Sequence, residues 1–461
     1  MSDKSNLRIE VKDFGPISEG EIELRPLTVF IGPNNSGKSY IAMLIYSLYK
    51  SFYRLASSYI YYRLDHEKRE RRIEVEGSFE KEENIYKEGK KEISKNMGEI
   101  TGIARELMIE EIKNNTERSY SCAIDDLVRI NSKTFRIEMK NSKSFTIENV
   151  NSNIRVVEYP PLRDYSLDVR TMGKVIGGYG ESVHALSVGL VDILAALFRE
   201  VSGEFSKPTY YLPAARSGIL QVYKALIDKV IETIPYIRSE RLDVPKLSGV
   251  VADFVSTITR IPPGEGPFFE LACEFEAEVI DGTIVMKNLG KYRYPDIEYE
   301  YKGSSIPLHM ASSTISELAP LILYLKYVIT PGDTLIIEEP EAHLHPQNQS
   351  ILAKYLVKLI RKDVNLVITT HSEFLLEKLS NFIILSTIDK EKRIAKYGYT
   401  EETYLLPKEV SVHVFNLDKE KGTTIEKVRI IREEGIPQEE FLRVHESLYD
   451  ETYKLYIDTG K

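Results

Sequence analysis

The chain has 461 residues and a mass of 52.8 kDa, room for about three domains at roughly 150 residues each or for one large elaborated one. With 42% hydrophobic and 28% charged residues and no biased tract it can build a packed core, which excludes disorder as the main state. A net charge of −9 means that contact with nucleic acid would need a local basic patch, and two distant cysteines, Cys122 and Cys273, argue against a disulfide framework or a structural zinc site.

The segment from Met1 lacks the basic-then-apolar layout of a secretory signal, and no stretch reaches about 18 uninterrupted apolar residues. The expectation is a protein of the reducing cytoplasm with no membrane contact. The richest apolar run, Leu318 to Ile329, is broken by Pro320 and Lys326 and suits a buried helix.

In chain order, Leu7 to Phe14 (LRIEVKDF) and Glu21 to Ile31 (EIELRPLTVFI) alternate as strands around the turn residues Gly15, Pro16 and Gly20. Tyr40 to Leu48 is apolar almost all round and predicts a helix buried against that sheet. From Ser51 to Pro161 the chain is charged and then gives two alternating strands, FRIEM and FTIENV, around Asn141 to Lys143. This segment reads as an insertion, its mixed-sign run from Asp65 either a nucleic-acid or partner surface or, as is more common for mixed signs, a solvated helical face. Helices are expected at Val183 to Phe198 and Gln221 to Thr233, with a strand at Thr209 to Leu212 between them. Gly282 to Pro307 reads as β-ribbon, followed by a helix at Ile315 to Val328, a strand at Thr334 to Ile337, a helix at Ser350 to Ile360 and a strand at Leu366 to Thr370. From Val410 two strand-like segments, VSVHVF and IEKVRII, precede a terminal helix from about Gln438. The boundaries drawn from this pass are 1–50, 51–161, 162–310, 311–390 and 391–461.

Gly32 to Ser39 (GPNNSGKS) matches G-x-x-x-x-G-K-[ST] between an apolar strand and an apolar helix, the context this phosphate-binding loop requires. The glycines let backbone N–H groups curl around a β-phosphate, Lys38 adds charge at the β/γ-phosphates, and the Ser39 hydroxyl can ligate Mg2+. The nucleotide-binding set is Gly32, Asn34, Asn35, Ser36, Gly37, Lys38, Ser39 and Tyr40. Downstream, Thr334 to Glu341 (TLIIEEPE) is a short apolar strand ending in acids, the layout of a Walker B strand. Glu338 would hold Mg2+ with Ser39, and Glu339 would act as general base on the attacking water. Leu366 to Thr370 ends in His371, whose neutral imidazole would bond the γ-phosphate and orient that water. Ser312 and Ser313 offer hydroxyls and N–H groups at a helix N-terminus, either for an anion or as an ordinary cap. Arg216 follows a strand and could face the nucleotide, a partner subunit, or a surface carboxylate. Gln221 is the sole glutamine between the two motif regions, and it falls inside an expected helix.

These motifs together resemble the ABC-type ATPase heads of the SMC, RecF and OLD (overcoming lysogenization defect) group, often described as AAA-family ATPases. The resemblance spans nearly the whole chain through FGPI at Phe14 to Ile17, GPNNSGKS, YLPAARSG at Tyr211 to Gly218, ASSTISELAP at Ala311 to Pro320, IIEEPEAHLHP at Ile336 to Pro346 and TTHS at Thr369 to Ser372. The EEPEAHLHP phrase is similar to the RecF/OLD-like branch and unlike transporter ATPases, which usually read DEPT there. The resemblance implies an α/β P-loop NTPase, an ABC-ATPase-like head with an N-terminal β-subdomain and an inserted α+β lobe. It also implies that Ser312 and Ser313 cap the γ-phosphate of a neighbouring subunit and that His345 lies in a D-loop touching that subunit. The family commonly has glycine where this chain has Thr314, whose β-branch hinders close approach to phosphate. No Toprim-like acids, HNH pattern or long heptad arm accompany the head.

The implied activity is Mg2+-dependent ATP binding and hydrolysis to ADP and phosphate. The implied partners are a second copy in a head-to-tail dimer or higher homo-oligomer and a separately encoded effector or nuclease, in genome maintenance or antiviral defence; whether DNA is bound stays open. The alternative is an ATP-dependent scaffold that sequesters a toxic effector, similar to the ATPase of the PARIS defence system, with turnover incidental.

Overall fold

The computed structural model of the chain describes residues 7–56, 105–140, 144–150, 153–158, 207–223, 247–287, 296–400, 403–437 and 449–455. The helix expected at Val183 to Phe198, the charged run from Asp65, most of the helix expected after Gln221 and the start of the terminal helix lie outside these residues.

The N-terminal strands are β1 (Leu7–Phe14), β2 (Ile17–Leu24) and β3 (Leu27–Ile31). The single strand expected at Glu21 to Ile31 is thus two, because Pro26 has no N–H to give a ladder and breaks the run. Helix α1 (Lys38–Ala56) follows, then α2 over 105–120 and strands β4 (Arg136–Lys140), β5 (Ser144–Val150) and β6 (Asn153–Glu158). Further on come β7 (Thr209–Leu212), α3 over 216–223, α4 (Gly249–Thr259) and α5 (Phe269–Val279). Strands β8 (Thr283–Lys287), β9 (Asp296–Tyr301) and β10 (Ser304–Pro307) make the expected ribbon, a separate antiparallel three-stranded sheet. Then α6 (Ser313–Tyr327), β11 (Thr334–Glu338), α7 (Pro346–Arg361), β12 (Asn365–Thr369) and α8 (Glu373–Ile384) alternate, and the hairpin β13 (Val410–Asp418) and β14 (Gly422–Lys427) closes the fold.

The main sheet has eleven strands in the order β6-β5-β4-β1-β2-β14-β13-β3-β12-β11-β7. From β13 to β7 every neighbour is parallel, Val410 opposite Leu27, Leu366 opposite Leu27 on the other side, Thr334 opposite Asn365, and Thr334 opposite Thr209. From β6 to β2 every neighbour is antiparallel, and β4 pairs with β1 through Ile137 opposite Val11. The strands of the expected lobe therefore extend the N-terminal sheet rather than forming one of their own. No helix among the described residues is long and apolar enough to cross a membrane.

Alternate residues of the parallel strands feed two cores. Leu335, Ile337, Leu366 and Ile368 face a cluster with α5 to α8, while Ile336 and Val367 join Ile41 and Ile45 of α1, Ile9 of β1 and Ile137 of β4. The period of two in a strand forces this division, and it leaves the parallel strands β3 and β11 covered on both faces. The C-terminal hairpin is tied to β2 by a buried polar cluster. His413 Nε2 lies 2.8 Å from Ser411 Oγ and accepts the Glu23 N–H at 3.3 Å, and Glu23 pairs with Arg25 and Lys427. Burial pushes the His413 imidazole down to about 4. Burial alone would raise Glu23, but hydrogen bonds from Lys427 and Arg25 hold its carboxyl at about 2.

Candidate functional site

β3 ends at Ile31 and α1 begins at Lys38, so the glycine-rich segment is the turn between a buried strand and a helix N-terminus. Gly32 and Gly37 have φ of 140° and 93°, and a Cβ there would strike the Phe415 carbonyl at 2.6 Å or Pro16 and Ile17 at 2.8 Å. Only glycine fits at both positions, and the loop folds tightly over the α1 N-terminus, where unpaired N–H groups and the dipole favour an anion. Lys38 is buried and its Nζ donates to the carbonyls of Gly32 (2.9 Å) and Pro33 (2.8 Å). Ser36 Oγ is buried with no hydrogen-bond partner, while Asn34, Asn35 and Ser39 are exposed. An orphaned hydroxyl and a lysine folded among carbonyls fit a cradle for phosphate oxygens, so the residues present suit a nucleotide with Mg2+. The Tyr40 ring packs on Phe14 (5.8 Å) and Tyr120 (4.8 Å), which engages its side chain between α1 and α2.

β11 is buried at every residue and delivers the two acids. Glu338 is 8% exposed, and its Oε2 accepts the Ala214 N–H at 3.1 Å just beyond the end of β7. Glu339 has φ of 43°, a left-handed conformation uncommon for a residue with a side chain. Its N–H is held by the Thr369 carbonyl (3.0 Å) and hydroxyl (3.2 Å), at the end of the neighbouring strand. Glu339 Oε1 lies 3.8 Å from His371 Nε2. Burial first and the charge of Lys38 second lower the His371 pKa, against the opposing pull of Glu339, so the ring is neutral at pH 7. Lys38 and Glu339 both act on the charge of His371, and Glu338 lies next to Glu339 at the end of β11.

Glu341 was not singled out in the sequence. Its Oε1 accepts the Thr370 hydroxyl at 2.6 Å and the His371 N–H at 2.9 Å, which pins the segment carrying the histidine. Burial raises its pKa, more than these hydrogen bonds lower it. A third acid three residues past the strand end was the available signal.

Ser312 caps α6, its Oγ accepting the Ile315 N–H at 3.4 Å, and Ser313 opens that helix exposed to solvent. His345 caps α7 by accepting the Gln347 N–H at 3.3 Å, and Pro346 begins that helix, four residues earlier than the apolar pattern alone suggests. The Thr314 hydroxyl donates to the His343 carbonyl at 3.0 Å, so the residue that replaces glycine joins the Ser312 segment to the segment bearing His345. Arg216 is 2% exposed and its ion pair with Glu317, at 3.5 Å, is internal, which removes the surface reading. Gln221 lies exposed on α3. Among the described residues no group of three or more His, Cys, Asp or Glu could hold a metal by itself. Ser39 and Glu338 are the residues that could hold a metal together with a bound nucleotide.

Comparison with known families matches residues 7–165 and 216–376 to the model of the AAA ATPase domain. No curated protein matches the chain. Among solved structures, the SMC head bound to the C-winged helix domain of ScpA is similar with a TM-score of 0.42 and 10% identity, covering 92% of this chain and 98% of that one. The SMC head domain from Thermotoga maritima gives 0.36 and 11% over 92% of this chain and 100% of that one. An SMC head with an extended coiled coil, bound to the C-terminal domain of ScpA derived from Pyrococcus furiosus, gives 0.39 and 11% over 96% and 99%.

Proposed function

Since the chain belongs to the AAA ATPase domain family, we propose that it is a Mg2+-dependent ATPase of the RecF/OLD-like kind. Its ATP-bound heads associate head to tail, and that association controls a separately encoded nuclease or other DNA-acting effector in genome maintenance or antiviral defence. The observation that carries the reading is Glu339, held in a left-handed turn with its carboxylate 3.8 Å from a neutral His371.

When bound, MgATP supplies a γ-phosphoryl group open to in-line attack by water. Lys38 leaves the carbonyls of Gly32 and Pro33 for the β- and γ-phosphate oxygens, adding a point charge where negative charge gathers. Ser39 and Glu338 would hold the metal, which would supply positive charge at the phosphates. The Glu339 carboxylate takes the proton of the attacking water, and His371, kept neutral by burial and by Lys38, orients that water without adding a competing positive charge beside the base. Ser312 and Ser313 reach the γ-phosphate bound by a second subunit, which makes closure of the pair depend on nucleotide.

Glu339→Gln tests this directly, because the amide keeps the shape of the side chain and cannot act as a base. MgATP affinity should hold while kcat falls by about a hundredfold or more. Light scattering should show a larger species with ATP than without. Turnover at the wild-type rate would refute the base assignment, and a mass indifferent to ATP would favour a preassembled scaffold that holds an effector.

A further inference from the structure

Arg216 heads the fully buried side chains by volume among the described residues, and its hydrogen bonds span three separate parts of the fold. Nε donates to the Glu317 carbonyl at 3.0 Å, Nη1 to the carbonyls of Glu338 (2.8 Å) and Pro213 (3.3 Å), and Nη2 to the Glu339 carbonyl at 3.2 Å. The balancing carboxylate is Glu317, 1% exposed, whose Oε2 also accepts the Ser217 N–H at 3.2 Å. Taking a guanidinium and a carboxylate out of water costs more than an apolar side chain of the same volume would, so stability is a weak reason for this pair. What an apolar residue cannot do is hold main-chain carbonyls in a fixed fork.

The carbonyls it holds belong to the residues proposed to bind metal and to take the proton. Glu339 is pinned on both sides of its strained φ, through its N–H by Thr369 and through its C=O by Arg216. A left-handed residue with a side chain persists only where its surroundings hold it there, and these two contacts supply that restraint. The other end of the fork grips Glu317, in the second turn of the helix that Ser312 caps.

We infer that Arg216 is a positioning residue for hydrolysis: it fixes the backbone of Glu339 and ties it through Glu317 to α6, so that whatever engages the Ser312 end of that helix acts on turnover. The inference rests on the reading of Glu339 as general base.

Arg216→Lys keeps a positive charge but cannot fork to carbonyls on three elements. We expect MgATP affinity by calorimetry to stay at the wild-type value while kcat falls by about a hundredfold, the scale of a small misplacement in a reacting group. Glu317→Gln keeps the shape and the carbonyl that Nε bonds but removes the balancing charge, and should lower kcat by a smaller factor, again with affinity unchanged. Wild-type kcat in a cooperatively melting Arg216→Lys overturns the positioning role, as does a parallel loss of affinity and kcat, which a merely structural arginine would give. Should Arg216→Lys fail to fold, Glu317→Gln decides: wild-type kcat there overturns the link to α6. Glu339→Gln assayed alongside separates the two ideas, because turnover in that variant sinks the base assignment, whereas its stalling beside an active Arg216→Lys sinks the positioning role of Arg216 alone.

Discussion

β3 and β11 are buried at every residue, whereas β1 on the other side of the sheet shows alternate residues to solvent. The parallel strands, covered on both faces, can present polar side chains only where they end. There the chemistry collects, with Gly32 just past β3, Glu338 and Glu339 closing β11, His371 just past β12 and Ala214 just past β7. The antiparallel strands run in both directions, and their alternating buried residues build a core shared with α1 and α2. One half of the sheet therefore carries the groups proposed to react and the other carries much of the packing around them.

If that division is right, changes in the two halves should fail differently. Lys38→Ala should have the largest effect: no measurable MgATP binding by calorimetry, in a protein that still melts cooperatively. Wild-type affinity would mean that the parallel half is not where nucleotide binds. Ile137→Ala in β4 should do the reverse. It empties part of a core that β4 shares with β1, and a fully buried isoleucine cut to alanine costs about 2–5 kcal/mol, read as a fall in the urea midpoint, while the folded fraction binds MgATP as before. Loss of affinity at temperatures where the variant is folded would show that the two halves do not divide the work.

The smallest effect lies at the seam between the halves. His413 is held neutral in the folded chain until its pKa of about 4, while the unfolded chain takes up that proton near 6.5. Between those values the unfolded state binds more protons, so the contribution is whole above pH 6.5 and falls as the pH drops, by about 2 kcal/mol at pH 5. Glu23, whose carboxyl is held near 2, adds its own loss only below about 4.5. Urea midpoints at pH 7 and pH 5 should differ less in His413→Gln than in the wild type. Equal differences would mean that the seam does not titrate.

How much of this the sequence discloses follows from how local each feature is. Gly32 to Ser39 is contiguous, and its glycines, lysine and flanking apolar runs suffice to read a strand, a loop and a helix in order. The acids after Ile337 and the histidine after Thr370 are legible for the same reason, since a fully apolar strand admits polar groups only at its end. Arg216 is not, because its partners Glu317, Glu338 and Glu339 lie more than 100 residues away and nothing local distinguishes a forked buried arginine from an exposed one. Thr314 looked like a poor substitute for glycine at a phosphate; its hydroxyl finds a carbonyl on another loop, a contact that only the folded chain creates. The break between β2 and β3 was legible in principle, since Pro26 cannot donate to a ladder, but the apolar alternation on either side masked it. Likewise the pairing of β4 with β1 depends on an edge left open by β2, and a charged stretch of sequence gives no sign of it.

β2 and β3 are separated by two residues in sequence, yet the hairpin β13–β14 lies between them in the sheet. Each of these strands takes a neighbour from a segment made much later in synthesis, β14 against β2 and β13 against β3. At roughly 5–20 residues per second, the gap from Ile31 to Val410 is a wait of about 20–75 s on the ribosome. Throughout it, the edge of β2 away from β1 offers open backbone to whatever strand comes first, and β3 waits as well, for β12 on one side and β13 on the other. Such distant pairings are also slow to form after release, because a long loop must close before any contact rewards it. The nascent chain is therefore most exposed to chaperones, and to mispairing with its own copies, while the loop from Gly32 to Ser39 has been made and Glu338 and His371 are still to come.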